Sequence, residues 1–375
     1  MYGCEISLEN RFYPIMLLLH LIGMQTLPCP EHLKKNNFCL IIWHLPKYLY
    51  NCIEILSLVL QCTVTILLPE RKTAIALLCM LLLQVSAKSS ARRSRKQFRQ
   101  LLKKLNCSQI LHLGEERQTF KISPFLYCLI MIQFNVSYVI LHFISNERTV
   151  FTRAILSSQF ISPGLEEYFV LLFDWTVITV TFVFGITFTS LSAFYGFTCY
   201  YLQLLFNAFT THVSSLSKEF DYRLIIRHYL DLSSVMESLD DYFCYTAFVN
   251  VVFSMFGLFW INFSLMSAPK EGYLDYICPF NGEMFYLSSI GMIVLSGSAA
   301  NEAFSKAKEA VLSLPGKVPQ HYKNLKIILR SECKRDIKLT LWKTYTIHRS
   351  LFISTIGTLV TYGILVATLG TVNSK

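Results

Sequence analysis
The chain has 375 residues, 53% of them hydrophobic and 14% aromatic, but only 15% charged. Ordinary soluble domains carry roughly 25% charged residues, so a water-facing surface for two or three such domains cannot be assembled here. A mean hydropathy of +0.44 and an excess of Phe and Tyr suit helices in lipid and at its interface, which excludes a soluble enzyme, a disulfide scaffold and a disordered regulator. The net charge of +10 therefore becomes a question of where Lys and Arg lie relative to membrane spans.

In chain order, an apolar stretch at 12–27 follows Glu5, Glu9 and a single Arg11, a poor basic leader for a signal peptide. Interrupted by Pro14, His20 and Gly23, it is expected to form an interfacial or re-entrant element within a cytoplasmic segment 1–47. A bilayer core about 30 Å thick needs roughly 20 apolar residues per helix, and seven runs approach that length. They are 48–68, 73–87, 124–145, 168–190, 242–265, 284–304 and 346–369. The fourth continues without Lys, Arg, Asp or Glu from Trp175 to Ser217, twice the membrane if helical, and offers only Gly185 and Gly196 as breakers. One long helix that leaves the bilayer and buries its continuation in protein is the better reading. The lower ends of the fourth to sixth spans and a helix over 321–345, with Leu325, Ile328, Leu329, Cys333 and Ile337 on one face, would complete a cytoplasmic helical layer.

Basic residues sort sharply along this arrangement. Ten lie between Lys88 and Lys121 and eleven between Lys306 and Arg349, against Arg71, Lys72, Arg148, Arg153, Lys270 and the terminal Lys375 elsewhere among the outer loops and end. The expected fold is thus all-α, a polytopic membrane protein with seven transmembrane helices, a cytoplasmic N-terminus and an extracellular C-terminus. Its expected divisions are 1–47, then 48–305 with spans one to six, 306–345 as a cytoplasmic helical anchor, and 346–375 with the last span. Neither basic cluster interleaves stacking aromatics on a folded reader, so nucleic acid is not expected as a partner, whereas membrane lipid is.

No phosphate loop, dinucleotide fingerprint, zinc-protease motif or nucleophile elbow occurs, and twelve cysteines and nine histidines show no metal-ligand spacing. Neither enzyme activity nor a cofactor is expected. Cys278 alone of the cysteines falls in an expected outer loop, and among three glycosylation sequons Asn262 alone is placed to be modified. Polar residues inside the membrane mark pockets or partners. Asp174 and Trp175 lie about two turns below the outer end of the fourth span. Tyr138 and His142 share a face on the third with Asn135 a turn below, and Phe253, Phe256, Trp260, Tyr286 and Ser289 reach the same level from the fifth and sixth. Aromatic walls with a few polar groups form a small-molecule site. The competing reading pairs Asp174 with His142 to hold helices together and leaves the aromatics as core.

The last span closes on Ile356-Gly357-Thr358-Leu359-Val360-Thr361-Tyr362-Gly363-Ile364-Leu365-Val366-Ala367-Thr368-Leu369-Gly370. This resembles the insect gustatory receptor family, whose seventh helix ends in Thr-Tyr, five mostly apolar residues, then Gln-Phe. Thr361-Tyr362 and the following five match, while Thr368 and Leu369 stand in place of Gln-Phe. The length, span number and long fourth helix are similar as well. The resemblance implies a ligand-gated, nonselective cation channel in the plasma membrane, opened by small-molecule tastants. It also implies a homo- or hetero-tetramer whose seventh helices line a central pore, with Thr361, Tyr362, Leu365, Thr368 and Leu369 at the pore and gate. The alternatives are a metabotropic seven-helix receptor coupled to a G protein, which needs the opposite orientation, and a secondary transporter.

Overall fold
The computed structural model describes residues 12–22, 37–67, 71–107, 117–144, 164–215, 222–267, 272–317, 322–332 and 336–372. In chain order these form α1 (Tyr13–Leu21), α2 (Asn37–Leu67), α3 (Arg71–Arg93), α4 (Arg95–Cys107), α5 (Arg117–Ile144), α6 (Glu166–Ser214), α7 (Tyr222–Ser267), α8 (Leu274–Leu312), α9 (Leu314–Lys317) and α10 (Tyr322–Glu332). A two-stranded ribbon, β1 (Thr340–Leu341) with β2 (Tyr345–Thr346), precedes α11 (Arg349–Val372). Six of the helices, α2, α3, α5, α6, α7 and α8, are long and apolar enough to cross a membrane. The fold is all-α and polytopic, with α11 as the candidate for a seventh span.

The helices alternate in direction, as side-chain partners show. Glu54 of α2 meets Lys88 of α3, while Gln61 donates to the Leu77 carbonyl at 3.0 Å. Tyr127 and His142 of α5 face Ser192 and Asp174 of α6. Phe194 and Phe188 of α6 meet Phe243 and Phe253 of α7, and Asn250 and Gly257 of α7 meet Ser289 and Tyr286 of α8. Gly291 and Gly297 of α8 then face Phe352 and Ile347, so α11 runs back toward the end where α7 finishes. Consequently the α2–α3, α5–α6 and α7–α8 connections share one end. Lys88, Arg92, Arg93, Lys96, Lys306, Lys323, Lys343 and Arg349 lie toward the other.

α6 is one continuous helix of 49 residues, as its lack of breakers predicts. At 1.5 Å per residue it reaches roughly 70 Å, about twice the hydrocarbon core. Its two glycines act as notches instead: a Cβ at Gly185 would overlap Asn135, and one at Gly196 would overlap Met292. The far half stays apolar because protein covers it. Ala193, Phe194, Tyr201, Leu205, Phe206, Phe209 and Val213 are buried, with Phe206 edge-on to Phe304 at 5.4 Å and Phe209 against Tyr229 at 6.2 Å. Outside the bilayer this burial draws on the hydrophobic effect, about 1.5–3 kcal/mol per large side chain, whereas between spans close packing must serve, since lipid is as apolar as Leu.

Several expectations need correction. Two helices extend beyond the apolar runs: α5 starts at Arg117, ahead of a membrane-capable stretch that begins at Ser123 as expected, and α7 starts at Tyr222, where Ile225, Ile226 and Tyr229 are buried against protein. The helix expected over 321–345 ends at Glu332; Ile337 belongs to the segment before the ribbon and Cys333 lies outside the described residues. α1, nine residues and about 14 Å long, is too short to cross a bilayer and packs one side against the bundle while Tyr13 and Leu17 stay exposed. Its Ile15, Met16, Leu18 and Leu19 are buried in the core cluster of the bundle. Cys278 is buried within α8 rather than in a loop, and Asn262 lies within α7 with its amide donating to the Leu258 carbonyl at 2.9 Å.

Candidate functional site
A cavity of about 220 Å³ lies among all six spans toward the end shared by the α2–α3, α5–α6 and α7–α8 connections. On α6 its lining runs from Phe173 to Phe184, roughly 10 to 27 Å along the helix from Glu166. Spacing explains the walls. Asn135, Tyr138 and His142 recur at three and four residues on α5, Phe256, Gly257, Trp260 and Ile261 on α7, and Gly282, Phe285 and Tyr286 on α8, so each helix turns one stripe inward. Gln61, Val64, Leu77 and Met80 close the side toward α2 and α3.

Glycine decides where two of these walls meet. A Cβ at Gly257 would overlap the Tyr286 ring and one at Gly282 would overlap Ile261, so α7 and α8 approach closely only because both positions lack side chains. Tyr286 in turn rests edge-on against Phe253 at 5.6 Å, and Phe253 stacks on Phe188 with centroids 3.5 Å apart. Beneath this aromatic floor Asn250 ties three helices, accepting from Ser289 at 3.0 Å and donating to the Phe188 carbonyl at 3.2 Å. An amide sharing two partners across apolar helices holds them in register, because its alternative is an unsatisfied group in hydrocarbon.

Of the nine residues expected at a ligand site, Asn135, Tyr138, His142, Phe256, Trp260 and Tyr286 line this cavity together. Three do not. Trp175 is 53% exposed and faces away from the bundle, since it follows Asp174 by one residue and a helix turns about 100° per step. Ser289 is spent on Asn250 below the floor. Asp174 is 7% exposed and stands behind the wall, its Oδ1 4.0 Å from His142 Nε2, the arrangement of the competing structural reading. Phe253, too, supports the floor rather than lining it.

The sequence reading missed Gln61, Phe173, Thr176, Phe184, Ile261 and Phe285. Gln61 is the informative omission. Its amide nitrogen donates to Leu77, and its Oε1 is buried with no hydrogen-bond partner among the described residues. An intramembrane glutamine was a signal available in the first span. Among the described residues the lining therefore offers aromatic surface, His142, amides and hydroxyls, but no Asp, Glu, Lys or Arg. Such a wall suits a compact, uncharged, largely apolar molecule. Among the described residues no group of His, Cys, Asp and Glu is placed to hold a metal ion.

The residues assigned to a pore and gate fall on α11. Thr361 is exposed and donates to the Gly357 carbonyl at 2.8 Å, while the side chains of Tyr362, Leu365, Thr368 and Leu369 lie outside the described residues. Ser354, Gly357, Thr358 and Thr361, spaced as one helix face, are exposed along the part that is described.

No family model matches the chain, and no curated protein matches it. The fold is similar to that of the solved insect olfactory receptor OR5 from Machilis hrabei, with a TM-score of 0.67 and 13% identity over 97% of this chain and 99% of that one. The same receptor in complex with eugenol gives a TM-score of 0.63 at 13% identity and equal coverage. The likeness therefore covers the whole architecture while sharing little sequence.

Proposed function
We propose that this chain is a chemoreceptor subunit, a ligand-gated nonselective cation channel of the plasma membrane opened by an uncharged small molecule in the cavity between its spans. The carrying observation is the cavity itself: six sequence-expected side chains converge on an aromatic-walled space at the end of the bundle opposite the basic residues. By the positive-inside rule that end faces outward, within reach of an environmental ligand, with the C-terminus outside. The likeness of fold to an olfactory receptor solved with eugenol supports the same reading. The Thr361-Tyr362 motif favours a gustatory role, with a tastant as ligand.

Four copies, alike or mixed with related subunits, would surround a pore lined by α11. Its exposed face of Ser354, Gly357, Thr358 and Thr361 supports this, because small and hydroxyl-bearing residues suit a hydrated path better than lipid. Leu369, near the outer end of α11, would close the path by dewetting, and Thr368 would offer hydroxyls to a hydrated ion. Binding between α7 and α8 would reach α11 through the contact of Phe352 with Gly291.

The test is current recording from cells expressing this chain alone and with candidate partner subunits, during application of small neutral aromatics and sugars. Ligand-evoked cation current that vanishes when Tyr286 and Phe256 are both replaced by Ala, at unchanged surface expression, supports the proposal. Ligand-evoked signalling that requires a G protein and carries no current overturns it.

A further inference from the structure
Between Lys88 and Lys104 the sequence holds eight Lys and Arg and no Asp or Glu. The structure decides what that cluster is free to do. α4 is amphipathic, but its apolar side is already occupied: Phe98, Leu101 and Leu105 are buried, and the Phe98 ring lies 4.4 Å from Phe194 and 6.3 Å from Phe243. The helix therefore cannot insert into lipid as an ordinary interfacial helix does, and its basic side is what it turns outward.

Its height is equally constrained. The α3–α4 junction is pinned to α7, Ser94 Oγ donating to the Tyr242 carbonyl at 3.0 Å and Ser90 sharing a 2.8 Å hydrogen bond with Thr246. Tyr242 lies 25 residues from Ser267, at the other end of α7, or roughly 38 Å at 1.5 Å per residue. A bilayer is about 30 Å thick in its core and 40–45 Å with headgroups, so the junction stands at headgroup level. Some of the charge there is consumed internally. Glu54 pairs with Lys88 and lies 4.0 Å from Arg92, and Lys104 donates to Ser238 at 2.9 Å. Arg93 and Lys96 are exposed, and among the described residues no carboxylate stands within ion-pair distance of either. Arg95 and Arg99 occupy neighbouring turns of α4.

We propose that the outward side of the α3–α4 junction, centred on Arg93 and Lys96, binds the headgroup of a phosphoinositide in the leaflet at the basic end of the bundle. Several cations within two turns match several phosphate charges on one headgroup better than the single charge of other anionic lipids, and guanidinium groups pair with phosphate through two parallel hydrogen bonds. Only the name of the leaflet rests on the orientation proposed above.

The test uses the purified full-length chain in neutral detergent, where orientation and channel activity play no part. Short-chain phosphatidylinositol bisphosphate, short-chain phosphatidylcholine and free inositol trisphosphate are titrated in turn, with the melting temperature as readout. The bisphosphate lipid should raise it saturably and phosphatidylcholine should not. Arg93→Gln with Lys96→Gln should weaken the apparent affinity roughly 30-fold, as two charges near an anionic surface would. Lys323→Gln with Lys326→Gln, an equal charge loss on α10, should leave affinity within about twofold. Equal loss in both double variants would overturn the site in favour of bulk charge, and free inositol trisphosphate acting as strongly as the lipid would make it a soluble-anion site. Should the first double variant fold poorly, the wild-type shift decides: it must shrink as salt is raised, and a salt-independent or absent shift rejects the proposal.

Discussion

At Gly257 a methyl group would overlap the Tyr286 ring, which makes this position a sharp steric probe of the cavity. Ala in place of Gly gains about 1 kcal/mol of helix propensity but crowds a buried ring at about 1–3 kcal/mol, so Gly257→Ala should lower stability modestly while displacing Tyr286. The expected outcome is an approximately tenfold or greater loss of ligand potency at normal surface expression, read from concentration–response curves. Unchanged potency would mean that Tyr286 does not meet the ligand. Asp174 calls for the opposite result. It stands behind His142 rather than on the wall, so Asp174→Asn should lower the melting temperature, by about 1–3 kcal/mol of stability, and shift potency little. A large potency shift without loss of stability would bring the carboxylate into the site.

Among the elements, the ribbon before α11 is held more tightly than its two-residue strands suggest. Asp240 of α7 accepts from Thr340 N at 2.6 Å, Thr340 Oγ1 at 2.9 Å and Lys343 Nζ at 2.5 Å, and Asp241 accepts from Lys343 at 2.6 Å. Asn301 of α8 secures the other flank, donating to the Leu339 and Ile347 carbonyls and accepting from Leu339 N. These bonds hold Trp342 and Lys343 at φ 52° and 56°, left-handed values that cost non-glycine residues about 1–2 kcal/mol each. Asp240→Asn should therefore loosen the entry to α11, costing about 2–3 kcal/mol in melting experiments and altering resting current if α11 lines a pore. Partial burial opposes the charge on Lys343, but hydrogen bonds to Asp240 and Asp241 outweigh it and hold the amine above the usual lysine range. A raised pKa stabilises below the unfolded lysine value of about 10.4 and is lost as pH rises through the higher folded value. Alkaline titration of the wild type should thus destabilise it more than Lys343→Met, and equal alkaline sensitivity would deny the clamp its charge.

For the molecule as a whole, orientation and the pore are the testable properties. An epitope after Lys375 should be reached by antibody on intact cells and one within 90–104 only after permeabilisation; the reverse pattern would revive a G-protein-coupled reading. The gate proposal predicts that Leu369→Ala leaks cations without ligand and that Leu369→Ser leaks at least as much, since polarity favours water in a narrow constriction. Leu365→Ala, one turn deeper, should leak less. Resting closure of Leu369→Ala beside conduction by Leu365→Ala would move the gate a turn inward, and two silent variants at the surface would exclude α11 from the pore.

Hydropathy and charge in the sequence determined the all-helical membrane class, the long uninterrupted α6 and the concentration of basic residues at one end, because each depends on composition along a single helix. Three- and four-residue spacing also indicated which stripes of α5 and α7 face inward. Only the tertiary structure decided depth and adjacency. It turned Trp175 outward, spent Ser289 on Asn250 and set Asp174 behind His142, because the rotation of α6 and α8 about their axes follows from notches at Gly185, Gly257 and Gly282 and from partners distant in sequence. It likewise ended α10 at Glu332 and built the ribbon, whose left-handed turn at Trp342 and Lys343 carries no glycine to announce it and exists because Asp240 and Asn301, on other helices, supply its hydrogen bonds.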